Sequence, residues 1–287
     1  MKRIIFLLAF FVIALVPGIA ADITASGACS NFALKKSNVQ DAAALQYGFN
    51  FSLSDKIEKQ LTGTIRCDAD PLNGNLVSAR VSYGTSFFDI SAGPSFGILN
   101  AVDSDDIVST LVQPGIGLGI HIIGWGKFLS TIDTDFALPP YSDNSGQVYL
   151  QRGELSTVFY LPNVLCTLGV TQKMNTESGS HMISITDYGM YNEAYLKGSP
   201  FRVAVNFIYR VTSYYITAES TDNTKVGNIL LGGGITWARR NDFSLFIKGD
   251  ASLYSFSYGD DLSGLDKLFF DITAGVTWHT SSGNTQE

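Results

Sequence analysis

Three histidines, His121, His181 and His279, are all the imidazoles this chain of 287 residues offers for acid–base or nucleophilic work. A hydrolase of the serine type needs a nucleophile, an imidazole within reach and a group that orients it. No nucleophile motif surrounds any serine, and the nearest acid–histidine combination, His181 with Asp187, makes no convincing pair. Cys29, Cys67 and Cys166 are far apart and form no C-x-x-C, so neither a zinc site nor a disulfide framework is expected. The acids Asp103, Asp105, Asp106, Asp143, Asp260 and Asp261 crowd short polar stretches and read as solvated loops rather than a calcium or magnesium site. The chain is therefore expected to be no enzyme and to carry no metal and no cofactor.

The charges that remain fall on alternating positions. Arg66, Arg80, Lys173, Arg202, Arg210 and Lys248 supply cations, with Lys127 and Arg152 beside them. Asp89, Asp133, Asp135, Asp250 and Asp271 supply anions, with Glu154. Each lies on the polar side of a segment whose other side is apolar, among many Gly, Ser, Thr and Asn. A wall of that composition suits an aqueous lumen. Arg80, Arg202, Arg210 and Lys248 facing the acids would set a transverse field and a mild ionic preference. The alternative is that these charges pair and plug the lumen.

Such positions must be held by strands, because the period is two throughout. In 201–211, Phe201, Val203, Val205, Phe207, Tyr209 and Val211 share one face; in 268–278, Leu268, Phe270, Ile272, Ala274, Val276 and Trp278 do. The pattern predicts 14 strands, at about 22–34, 42–54, 58–67, 74–83, 86–98, 110–123, 126–138, 146–161, 164–174, 181–197, 200–218, 226–238, 242–257 and 265–279. Twelve result if 86–123 or 181–218 is divided differently.

Alternation alone suits both a soluble sandwich, apolar inside, and a membrane barrel, apolar outside. Several features favour the barrel. The apolar faces of the well-patterned strands carry no Asp, Glu, Lys, Arg or His, as expected where a midplane cation facing lipid costs about 2–4 kcal/mol. One set of connections is mostly short, at 84–85, 124–126, 162–163, 198–199 and 239–241, with Ser54–Ile57 less tidy. The other set is longer and acidic, at 68–74, 100–106, 139–146, 175–180, 220–225 and 259–266. All three tryptophans, Trp125, Trp237 and Trp278, sit at short-turn ends, with Tyr83, Phe128, Tyr160, Phe201 and Phe243 near the same level. Amphipathic rings collect where hydrocarbon meets water. An open sheet edge in hydrocarbon would leave N–H and C=O groups without partners, so the last strand should pair with the first.

Composition agrees. The chain is 45% hydrophobic but only 16% charged, against about 25% in a typical soluble domain. A formal charge of −7 argues against nucleic acid as a partner. Lys2 and Arg3 precede an apolar run over 4–16 and small residues up to Ala21, the layout of a cleaved signal peptide over 1–21. The barrel is expected over 22–280, with a short tail over 281–287.

Signal peptide, alternating strands, unequal connections and a final amphipathic strand together resemble bacterial outer-membrane β-barrel proteins. In size and strand count the chain looks like the single-chain, 14-stranded porins. Many such proteins end on an aromatic residue that the barrel-assembly machinery recognises. Here the strand over 268–278 has the pattern, but the chain continues through His279 to Glu287. The resemblance implies an all-β, closed antiparallel transmembrane barrel in the outer membrane of a diderm bacterium, termini on the periplasmic side. It implies outer-membrane lipid and the assembly machinery as partners, a monomeric state, and passive diffusion of ions and small hydrophilic solutes as the function. The alternative is a non-conducting surface barrel acting as an adhesin or envelope or host-interaction protein through its acidic loops.

Overall fold

A computed structural model of the chain describes residues 21–31, 45–70, 74–102, 108–138, 149–177, 181–195, 197–216, 224–239, 242–257 and 268–280. Residues 1–20 of the expected signal peptide, the C-terminal tail, and the loop acids Asp103, Asp105, Asp106, Asp143, Asp260 and Asp261 lie outside them, whereas Ala21, the last residue of that expected segment, opens the first strand.

Fourteen antiparallel strands follow one another around a closed barrel. In chain order they are β1 (Ala21–Ser30), β2 (Gln46–Lys56), β3 (Leu61–Asp70), β4 (Gly74–Gly84), β5 (Phe88–Val102), β6 (Val108–Gly124) and β7 (Phe128–Ala137). There follow β8 (Tyr149–Leu161), β9 (Val164–Glu177), β10 (His181–Tyr195), β11 (Phe201–Ile216), β12 (Thr224–Arg239), β13 (Phe243–Ser257) and β14 (Phe270–His279). β14 pairs with β1, from Asp22 opposite His279 to Ser30 opposite Asp271. The sheet therefore has no edge, as the backbone argument requires.

Period-2 pleating decides which residues face where. Val205, 54% exposed, and Ile235 and Ile247 stand on the outer wall, while Asn206, Arg210 and Asn228 are buried inside. Wherever strands pair without a bulge, partners share a face, so the polar set of one strand continues onto the next all the way round.

Several boundaries differ from the sequence expectation. β3 runs on to Asp70, which takes Asp68 out of the expected 68–74 loop and onto the inner wall opposite Leu76. The expected Gly84-Thr85 turn is longer. Thr85 N–H donates to Phe88 O at 2.7 Å and Thr85 Oγ1 accepts from Phe88 N at 3.1 Å, so β5 starts at Phe88. Parity survives, with Tyr83 opposite Ile90 on the outer face. Lys127 sits in the β6–β7 turn, where its N–H donates to Gly124 O at 2.8 Å, and not on the wall.

That turn has positive φ at both central residues, 44° at Trp125 and 71° at Gly126. This is the primed geometry that matches strand twist, and glycine adopts it freely while tryptophan does not.

Among the described residues, two bulges interrupt the ladders. Asp135 pairs with Arg152 but Phe136 with Leu150, which leaves Gln151 as the extra residue of β8. Ile229 pairs with Tyr254 but Leu230 with Ser252, which leaves Leu253 extra on β13. A bulge re-aims the side chains beside it. Gln151 is thereby turned inward next to Arg152.

Candidate functional site

Among the described residues, side chains meet across the lumen towards its long-connection half, and cavities lie towards its short-turn half. Two groups of side chains make these contacts.

The first is ionic. Arg80 on β4 donates from Nη1 to Asp133 Oδ1 at 2.7 Å and from Nη2 to Asp135 Oδ1 at 2.6 Å. Both acids are on β7, with β5 and β6 between them and Arg80. Arg80 is 8% exposed and Asp135 fully buried. The guanidinium reaches β7 by lying flat on the inner wall. A Cβ on Gly117 of β6 would overlap Arg80 Nε. Gly117, with no side chain of its own, makes room for this one.

Arg152 on β8 extends the network. Its Nη2 lies 3.0 Å from Asp135 Oδ2 and 3.5 Å from Asp133 Oδ1, and its Nη1 donates to Asp68 Oδ2 on β3 at 2.9 Å. Asp68 also takes Arg66 Nε at 2.6 Å. Three cations thus meet three anions, and burial favours such a set only when its members are paired. Lys173 stands opposite Arg152 in the β8–β9 register.

The second group is apolar. Ile208 on β11, Leu230 on β12 and Phe269 just ahead of β14 form a buried cluster inside the barrel, with Tyr191 packed against it. Next to it Arg210 donates from Nε and Nη2 to the two carboxylate oxygens of Asp187, both at 2.7 Å. These residues face each other across the β10–β11 pair.

The hollow half holds a cavity of about 700 Å³. Its wall includes Tyr160, Tyr191, Glu193, Lys248, Asp250 and Asp271, drawn from β8, β10, β13 and β14. Arg202 donates to Glu193 at 3.3 Å, Asn206 donates to Asp250 at 3.3 Å, and the Lys248 ammonium lies 5.7 Å from the Phe246 ring centre. Asp250 and Asp271 are directly opposite each other in the β13–β14 register. A second cavity of about 640 Å³ lies at the short-turn mouth, against Asp22, Lys56, Lys59, Asp89, Asp242 and His279. His121 Nδ1 is 3.5 Å from Asp89 Oδ1, and His279 Nδ1 2.7 Å from Asp22 Oδ1.

All eleven charged positions singled out from the sequence lie on strands and on the inner face. Their contacts include ion pairs, over intervening strands for Arg80 and across one ladder for Arg210. Arg80 joins Asp133 and Asp135, and Arg210 joins an acid on the adjacent strand. Asp68, Asp187 and Glu193 were missing from that set, although Asp68 continues the even-numbered inner positions Thr64 and Arg66.

Of the interface aromatics, Tyr83, Trp237 and Trp278 stand on the outer face at the short-turn end and Trp125 projects from its turn, 85% exposed. Trp237 meets Phe243 edge-on at 6.4 Å. Tyr160 does not join them: it lines the lumen cavity.

No protein-family model matches the sequence, and no curated protein matches it. Among solved structures, a bacterial polysaccharide outer membrane secretin aligns with 8% identity over 93% of this chain and 100% of its own, at a TM-score of 0.49. An outer membrane channel from Pseudomonas putida F1 aligns with 8% identity over 92% of this chain and 97% of its own, at 0.47. OmpF of Salmonella typhi, in complex with daunomycin, aligns with 11% identity over 91% and 97%, at 0.43. Each is a likeness in barrel architecture only.

Proposed function

We propose that this barrel spans an outer membrane and lets ions and small hydrophilic solutes diffuse passively through its lumen. The observation that carries the reading is the inverted distribution of polarity. The outer wall exposes a broad set of apolar side chains, whereas the interior holds a cavity of about 700 Å³ whose wall sets Glu193, Lys248, Asp250 and Asp271 among aromatic and apolar side chains. A soluble protein rarely exposes so large an apolar belt, and a membrane barrel requires one.

Ala21 and Thr280, the first and last described residues, share the short-turn end with Trp125, Trp237 and Trp278. That end is assigned to the periplasm, so the wider part of the lumen opens there and the narrow part faces outward. Solutes enter a roomy vestibule and pass a tight region built from the Arg80 network and the Phe269 cluster. The barrel acts as a monomer whose lumen its own strands complete.

Purified full-length protein in a planar bilayer tests this. Stepwise conductance, small for a barrel of this strand number, is the expected result. A folded, heat-modifiable barrel that stays electrically silent would overturn the channel reading and favour a surface barrel that acts through its loops.

A further inference from the structure

A circular barrel of fourteen strands at ordinary spacing and tilt would be about 25 Å or more across, with strands four apart separated by about 20 Å. Here Cα atoms of β5 and β9 come within 8 Å of each other, although β6, β7 and β8 lie between them along the wall. The wall is folded tightly on itself over β5–β9, and that lobe of the lumen is shut.

Contacts inside the lobe show what holds it. Gly97 of β5 lies against Gln151 of β8, so closely that a Cβ there would overlap Gln151 Nε2. Gln151 is the bulged residue that the irregular β7–β8 pairing turns inward. Immediately after it, Arg152 reaches Asp68 of β3 at 2.9 Å. Arginine and aspartate side chains cannot bridge the span between β3 and β8 in a round barrel, so this ion pair exists only in the collapsed section. Arg80 also ties β4 to β7, along the inner wall over Gly117.

We propose that Asp68 and Arg152 form a strap that sets the calibre of the channel, holding β3 to β8 and the intervening strands folded inward. The strap determines the size of solute that passes, so its role in calibre rests on the channel reading above. The pair is suited to this because it joins strands that share no backbone ladder, so releasing it breaks no strand pairing. Asp68 is also the mildest point at which to release it. Arg152 keeps Asp135 and Asp133 as partners, and Arg66, about half exposed, turns to solvent.

The test compares full-length parent and Asp68→Ala in planar bilayers, with polyethylene glycols of graded size as pore probes. Asp68→Asn serves if the alanine variant fails to assemble. The released variant should conduct at least twofold more per channel and admit larger polymers. Unchanged conductance and size exclusion in a heat-modifiable variant overturn the strap. A second readout does not depend on conduction. In a background with Cys29, Cys67 and Cys166 replaced by serine, Gly97→Cys and Gln151→Cys should cross-link readily with Asp68 present and several-fold less after Asp68→Ala. Failure to cross-link with Asp68 present, or equal cross-linking in both, overturns the strap whether or not the barrel conducts. A silent parent whose cross-link depends on Asp68 overturns only the channel reading.

Discussion

Asp187 and Arg210 stand opposite each other on β10 and β11 and share two hydrogen bonds of 2.7 Å, carboxylate to guanidinium, inside the barrel. A fork-to-fork pair fixes geometry as well as charge. It stands beside the apolar cluster of Ile208, Leu230 and Phe269, where a charge without its partner is poorly solvated. Asp187→Ala should therefore cost about 3–5 kcal/mol, the usual penalty for breaking a buried pair. Asp187→Leu with Arg210→Met should cost clearly less, since neither charge remains. Denaturant titrations of the detergent-folded barrel measure both. Equal losses would show that the pair contributes through packing alone.

The outer wall should refuse charge. Val205→Arg, on the exposed face of β11, is expected to lower folding stability by about 2–4 kcal/mol in a lipid bilayer. Thr167→Lys, whose side chain enters the large cavity, should change it by well under 1 kcal/mol. Folding titrations into vesicles separate the two.

Gly117 lies beneath Arg80, and any Cβ there meets the guanidinium and Asp135 Oδ1. Gly117→Val should destabilise by about 1–3 kcal/mol, the range for overpacking a filled interior. Gly27→Ala is the control, because nothing lies within 4 Å of its added carbon. A melting shift as large for Gly27→Ala as for Gly117→Val would refute the account.

The fold was readable because a two-residue period leaves strands no freedom over which face they bury. Closure followed from unpaired edges, and the order of strands from short turns. The state of the lumen was not readable. Alternation assigns Arg80, Asp133 and Asp135 to one face but is silent on which side chains reach each other, and that depends on the shape of the cross-section. Asp68 was lost to the loop because aspartate followed by Ala-Asp-Pro resembles a turn. One clue was present: Gln151 and Arg152 are two polar residues in succession, which breaks the alternation where β8 carries its bulge.

Trp125 occupies a left-handed position at φ 44°, which costs a tryptophan about 1–2 kcal/mol relative to its preferred backbone. Its ring, almost fully exposed, contributes nothing to the fold to offset that. Trp125→Asn should stabilise the barrel slightly in detergent and weaken its hold on a bilayer. The three tryptophans should be quenched by lipids brominated near the headgroup and spared by lipids brominated near the chain ends. Deep quenching of all three would contradict their placement at an interface.

The pairing of β1 with β14 brings Ala21, whose N–H donates to Thr280 Oγ1 at 2.7 Å, against a residue near the far end of the chain. Every other ladder joins sequence neighbours, so most of the wall can form locally as the chain emerges. The seam cannot. It is the contact with the greatest loop-closure cost, and the first strand must wait unpaired until the last arrives. Throughout that wait two bare edges and a belt of apolar side chains stand exposed to water. The hazardous stage of its folding is thus the one that ends when the seam closes, and only the whole chain, not any one strand, can end it.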